Sequence, residues 1–412
     1  MDTLVERPYA IDLSRLMKFD PRSLTWLPCL MIIAVVIRTT IDISVLEWQV
    51  VSYIALFFSM LSFFIMAFLY LREGVMSRYV LVCVLFETLM LMSTIIGFND
   101  IKNCFYDGCA VIFFVMACEY YSGRMNLIVI SLAVSFSLCV YLNAMHMMLH
   151  PELWFAADTT VNGYLLGTNY NQMGCRLLCA VAISILCLKY SKWWWLNVIP
   201  VVLVSLVTLF IVGSMTSITG ILLFLLFCII PSKRLIKVGV LALLASVILF
   251  QIFVCFQGKG IENNEVAIYF VEDILGKDIT FTNRTYLWDA ASKVVSESPI
   301  YGYGLVDRDW YFSHMSSLAK GPHNFIWAIL IYGGVLLLAV FTYLCLISIS
   351  ILFKTTDRYT FFLYAAAAVL FMMMLMENYP YIFIITLLSL AYFSHVSIHN
   401  INKDKYEDTR DL

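Results

Sequence analysis

The sequence predicts an all-α polytopic membrane protein, with about twelve transmembrane helices and one large extracytoplasmic loop containing short helices. Three observations lead there. Of 412 residues, 62% are hydrophobic and only 13% are charged, whereas a soluble domain carries about 25% charged residues. The apolar residues are gathered into continuous blocks long enough to cross roughly 30 Å of hydrocarbon. The basic residues are sorted to one side of those blocks. Because the blocks do not alternate apolar with polar, a β-barrel is not expected.

In chain order the blocks place spans near 23–41, 50–70, 79–97, 104–121, 125–147, 171–188, 195–212, 217–230, 235–256, 323–349, 359–376 and 381–397. This divides the chain into a cytoplasmic segment 1–22, nine transmembrane helices over 23–256, the large extracytoplasmic (periplasmic) loop 257–322, three further transmembrane helices over 323–397 and a cytoplasmic tail 398–412. The first span has no small-residue cleavage site after it and reads as a retained signal anchor.

With the N-terminus in the cytoplasm, 17 of the 26 Lys and Arg fall in cytoplasmic segments, from Arg7, Arg15, Lys18 and Arg22 to Lys403, Lys405 and Arg410. The short outer loops hold only Lys102. Inverting the chain would break this positive-inside bias at nearly every loop. Both termini are therefore expected in the cytoplasm. Trp193, Trp194 and Trp195 fall at the cytoplasmic interface as an aromatic anchor. A net charge of −2 gives no reason to expect a nucleic-acid partner.

Ten of the twelve cysteines lie inside apolar blocks, Cys104 and Cys109 begin another, and the two long polar loops contain none. A disulfide framework in the exported part is excluded, and no metal spacing exists. The cysteines read as small apolar packing residues. The acids Glu262, Glu265, Glu272, Asp273 and Asp278 likewise read as a solvated face. No metal and no cofactor is expected.

The 66-residue loop 257–322 holds nine acidic and six basic side chains. Thr282 to Ser298 reads as an amphipathic helix, with Thr282 or Asn283 as its cap, Pro299 as its stop and Leu287, Ala291, Val294 and Val295 on one side. Arg284 and Trp288 are four residues apart and share a face. Pro299-Ile300-Tyr301-Gly302-Tyr303-Gly304 follows as a turn. Gly321-Pro322-His323-Asn324 then enters a span that contains Gly333-Gly334. Before the loop, Gly167-Thr168-Asn169-Tyr170-Asn171-Gln172 leads into a span carrying Arg176. A charge within a span is costly and is a functional hypothesis by default. Arg38 lies close to a span end and can snorkel. Glu87 and Glu119, both inside spans, can pair with Arg38 or Arg176.

The order R-x-x-x-W, P-x-x-G-x-G, then H-N at the head of a span resembles the signature region of the O-antigen ligase and polymerase family, over about 50 residues of motif. Gly167 to Gly174 resembles its G-x-x-N-P-N segment, with Tyr170 where Pro is usual. Ser217-Ile218-Thr219-Gly220 stands where many relatives show Ser-Arg-Thr-Gly, so an arginine is missing there and Arg176 is the candidate substitute. The resemblance implies an enzyme that joins glycans carried on undecaprenyl diphosphate at the outer face of the inner membrane, with a chain-length regulator and a flippase as possible partners. His323 and Arg284 are then the catalytic candidates. Arg176, Trp288, Asn324, Gly302, Gly304 and Asn171 are candidates for substrate binding.

The chemistry fits these residue types. A diphosphate leaving group gains negative charge as its bond to sugar breaks, and an arginine fork holds phosphate oxygens bidentately and stays charged. Histidine is the residue type suited to taking the proton of an attacking sugar hydroxyl near neutral pH. Trp288, Trp310 and Tyr303 offer flat faces to sugar rings. The leading expectation is an inverting, metal-independent polymerase of lipid-linked repeat units. A ligase that moves the polymer to lipid A–core shares the donor and differs in the acceptor. A flippase is the rival of another class, but the chain shows no repeated halves and Pro200 is the only proline well inside a span. Without the resemblance, Arg284 would read as a solvated helix charge and His323 as a helix-start residue.

Overall fold

A computed structural model describes residues 24–46, 49–74, 76–154, 163–167, 170–263, 265–274, 278, 280–281, 283–316 and 321–408. No strand occurs among them. Each predicted span falls on a helix. These are α1 (Trp26–Thr40), α2 (Gln49–Glu73), α3 (Arg78–Ile96), α4 (Ile101–Tyr120), α5 (Met125–Leu149), α6 (Met173–Leu186), α7 (Trp195–Val212), α8 (Met215–Ile229) and α9 (Lys233–Phe250). Two short helices follow in the loop, α10 (Arg284–Glu297) and α11 (Arg308–His314), then α12 (Phe325–Leu352), α13 (Arg358–Met374) and α14 (Tyr381–Asp408). Among the described residues, eight helices are long and apolar enough to cross a membrane. The other four, α1, α8, α13 and Tyr381–His395 of α14, are shorter apolar helices.

Helix length has a structural consequence. The 15 residues of α1 and of α8 rise about 22 Å each, less than the roughly 30 Å of a hydrocarbon core. At the end of the bundle that faces the 257–322 loop, the termini of short helices meet. Arg176 on α6 donates from Nε to the carbonyl of Thr40, the last residue of α1, at 3.1 Å. Gly174 lies so close to α8 that a Cβ there would sit 2.1 Å from Ser217 Oγ. Met373 of α13 packs against Gly174 and Gly220. Polar residues are thereby gathered at one end of an otherwise apolar bundle.

The opposite end is held by basic residues and helix termini. Lys189 Nζ pairs with Asp357 at 3.0 Å, Lys233 donates to the Thr356 carbonyl, and Arg358 donates to the carbonyls of Cys228 and Ile230. Cations against the last carbonyls of a helix are favourably placed.

Charged groups within the bundle pair differently from the expectation. Arg38 bonds Asp107 at 2.9 Å and lies over the Tyr106 ring. Glu119 accepts from Tyr70 and Ser77, and Glu87 accepts from Tyr381. Among the described residues neither acid pairs with Arg38 or Arg176. Hydroxyls reach both acids, although Glu87 Oε1 keeps no hydrogen-bond partner among the described residues, a pattern that spacing along the chain does not reveal. All twelve cysteines are free thiols, nine of them buried.

The span from 323 is not one continuous helix. At Gly333 (φ −146°, ψ 18°) and Gly334 (φ 61°, ψ −159°) α12 breaks, and the Pro299–Gly304 turn docks on the break. Tyr303 and Gly304 donate their amides to the carbonyls of Ile331 and Tyr332, both at 2.7 Å. Val335 returns a bond to the Pro299 carbonyl at 2.8 Å, and Ser93 Oγ of α3 reaches the carbonyls of Tyr301 and Tyr332. The loop thereby takes up the Ile331 and Tyr332 carbonyls and the Val335 amide at the break, and irregular backbone in a membrane bundle requires partners of this kind.

Candidate functional site

The loop enters α12 through an unusual backbone. His323 has φ +45°, uncommon for a residue with a side chain. It precedes Asn324, whose Oδ1 caps α12 by accepting from the Trp327 amide at 3.0 Å. Asn324 Nδ2 donates to Gln251 Oε1 and to the Leu375 carbonyl. Asn324 is thus fully buried and both its ends are used within the protein. It ties α12 to the end of α9 and to the segment after α13, and it fixes where His323 sits.

Between α13 and α14 lies Glu377, buried at the centre of the cluster. Its Oε1 accepts from Arg284 Nη2 at 2.7 Å, and its Oε2 lies 3.2 Å from His323 Nδ1. The two catalytic candidates, 39 positions apart in sequence, meet on one carboxylate. Arg284 opens α10, and its Nη1 also reaches the Phe281 carbonyl. Arg284 and His323 are only partly buried, so each keeps donors or a ring edge turned outward. Glu377 was not singled out in the sequence. A lone acid in the short turn between two apolar blocks reads as solvated. The available signal was its side: the turn faces the same way as the 257–322 loop.

Two buried donors around this cluster, Trp288 Nε1 and Gln251 Nε2, have no partner among the described residues, and a third, Tyr379 Oη, has only Ser217 beside it. Burying an unpaired donor costs about 1–3 kcal/mol, and such atoms mark a place where a polar ligand has business. Burial, reinforced by Glu377, holds the Tyr379 phenol well above its ordinary range, so it stays a donor. A site built of arginine and unpaired donors suits an anion.

The remaining candidates are placed as follows. Trp288 is fully buried under α10, against Phe281, and presents no face to solvent. Thr285, Trp288, Ala291 and Val294 form the buried stripe of that helix. Asn283 does not cap it through its side chain: it adopts φ +66°, and the Thr285 amide bonds the Thr280 carbonyl instead. Thr282 lies outside the described residues. Gly302 and Gly304 are packing positions. A Cβ at Gly302 (φ +64°) would meet the Ile331 carbonyl at 2.5 Å, and one at Gly304 (φ +83°) would lie 2.2 Å from Thr94 Cα. Tyr303 and Trp310 are half-buried against the cluster that holds Trp288, their rings touch, and the Trp310 ring stacks on His314 at 4.3 Å.

Arg176 is 8% exposed. Its guanidinium bonds the Thr40 and Gln172 carbonyls and lies over the Phe383 ring. No ion pair to it occurs among the described residues. Asn171 Oδ1 accepts from Ser214, which also bonds Ser217. This second polar cluster lies on α6 and α8, and neither residue bonds Arg284 or His323 among the described contacts. Thr168 and Asn169 lie outside the described residues.

Fold and cluster together define a helical membrane protein with an Arg–Glu–His site at the head of a span. Residues 200–342 match the family model described as O-antigen ligase, in agreement with the resemblance seen in the motifs. Neither curated proteins nor solved structures give a match. The matched segment holds Arg284, Trp288, Gly302, Gly304, His323 and Asn324; Asn171, Arg176 and Glu377 lie outside it.

Proposed function

We propose that this protein is a glycosyltransferase that polymerises undecaprenyl-diphosphate-linked repeat units into O-antigen or capsular polysaccharide at the outer face of the bacterial inner membrane. The observation that carries the reading is the bridge of Arg284 and His323 through Glu377. Arg284 binds the donor diphosphate, and its fork offers further N–H groups beside the one held by Glu377. The Glu377 carboxylate takes Nδ1–H of His323, which leaves Nε2 with its lone pair as the base for the acceptor hydroxyl. Attack on the face opposite the diphosphate inverts the sugar carbon. Arginine meets the charge on the leaving group, and no metal is required. Arg176 stabilises phosphate from the α6 side, and Tyr303 and Trp310 offer stacking faces to the glycan.

Ligation of finished polymer to lipid A–core uses the same donor and the same groups, and a flippase would move that donor without cleaving it. The glycan ladder of a deletion strain separates these readings. Single repeat units on the core support the polymerase. Loss of polymer from the core, with lipid-linked polymer accumulating, supports the ligase, and an unchanged ladder refutes both.

A further inference from the structure

One cavity leads away from the site. A groove of about 300 Å³ runs between α9, α12 and α13, walled by Leu244, Ile248, Leu338, Phe371 and Leu375, and its lining is almost wholly apolar. The exception stands at its head. Gln251 is 6% exposed and begins a turn of π-helix, Gln251–Cys255, at the end of α9. π-Helical turns of this kind are often found at functional sites.

The orientation of the Gln251 amide is fixed by its neighbours. Asn324 spends Oδ1 on the Trp327 amide, so its Nδ2 is the donor to Gln251. Gln251 must therefore present Oε1 to Asn324 and keep Nε2 free. That Nε2 is buried and has no acceptor among the described residues. Asn324 adjoins His323, and Leu375 of the groove wall is two residues from Glu377. The groove thus opens, at the end marked by an unpaired donor, beside the Arg284–Glu377–His323 cluster.

We infer that this groove holds the isoprenoid chain of the lipid-linked donor, with Gln251 Nε2 donating to the phosphate nearest the chain. The inference rests on the donor reading given above. An apolar chain in an apolar groove gains little over membrane lipid, so recognition falls to the head, where an anionic oxygen satisfies a donor that is otherwise unpaired. The groove then sets the direction in which the sugar–phosphate bond faces His323.

Two measurements on the purified full-length protein in lipid nanodiscs test it. The first uses a polyprenyl diphosphate carrying a photoreactive group in its chain. Crosslinks should map to α9, α12 or α13 and be competed by unlabelled polyprenyl diphosphate but not by phospholipid. The second compares donors of long and short isoprenoid chain. Leu244→Trp and Leu338→Trp, which fill the groove, should raise KM for the long-chain donor by about tenfold or more while barely changing it for the short one. Gln251→Glu keeps the acceptor for Asn324 and replaces the free donor, so it should raise KM for both donors. Crosslinks elsewhere, or equal competition by phospholipid, overturn the groove even if transfer proceeds. Crosslinks in the groove with no transfer in the wild type leave it standing and overturn the glycosyltransferase reading instead.

Discussion

Glu377 holds Arg284 at 2.7 Å and His323 at 3.2 Å on its two carboxylate oxygens. One buried acid, from the turn between α13 and α14, thereby joins the first residue of a loop helix to the residue just before the cap of a long apolar one. Glu377→Gln keeps the size of the side chain and one acceptor but removes the charge. It should lower kcat by about tenfold or more, the order seen when an orienting partner is lost, with little change in protein yield. Unchanged kcat would leave Glu377 a purely structural tie.

Arg284→Lys preserves the charge and loses the planar fork. Its effect should fall mainly on donor affinity and turnover together, approaching that of Arg284→Ala, because a point charge cannot hold two phosphate oxygens and Glu377 at once. Transfer assayed at matched protein level checks this. Wild-type polymer length and amount in Arg284→Ala would remove the residue from the site.

Arg176 makes two bonds to carbonyls and lies over the Phe383 ring. Arg176→Leu leaves the Thr40 and Gln172 carbonyls without that donor, so it should reduce thermal stability in detergent as well as activity. Arg176→Lys separates the two effects: if Arg176 binds phosphate, stability recovers more than activity does. Equal recovery of both would assign it to the framework alone.

Gly304→Ala is expected to destabilise the protein without touching the chemistry. The residue sits at φ +83°, and a Cβ would press on Thr94 Cα. Backbone strain of this kind costs about 1–3 kcal/mol, and relief requires the loop to lift from the break at Gly333–Gly334. A fall in Tm with the kcat of the surviving folded fraction retained is the expected result. A full loss of kcat at unchanged Tm would return Gly304 to substrate binding.

Much of this molecule was legible in its sequence, for a physical reason. A membrane-type helix must be apolar over its whole length, so each of the twelve blocks lands on a helix. The α10 stripe was half read: Leu287 and Val295 were expected inward, and they are partly buried, but Trp288 belongs to the buried face and is not a surface for sugar. Gly302 and Gly304 were correctly seen as a turn, yet their purpose, docking onto broken α12, depends on contacts between residues some 30 positions apart. Pairing of polar groups was the least legible. Arg38 with Asp107, Glu119 with Tyr70 and Glu377 with two partners are all long-range choices. Single-sequence spacing carries the period of a helix and says nothing of which helix stands beside it.

If His323, oriented by Glu377, takes the proton of the acceptor hydroxyl, the loss of that base is read in the turnover of purified His323→Gln with lipid-linked repeat units. The amide can donate or accept a hydrogen bond but cannot take a proton. A lost general base lowers rate by about 10²–10⁴-fold. A fall of that order is expected for His323→Gln, equal to that of His323→Ala, with donor binding retained. Near-normal turnover by His323→Gln would contradict it.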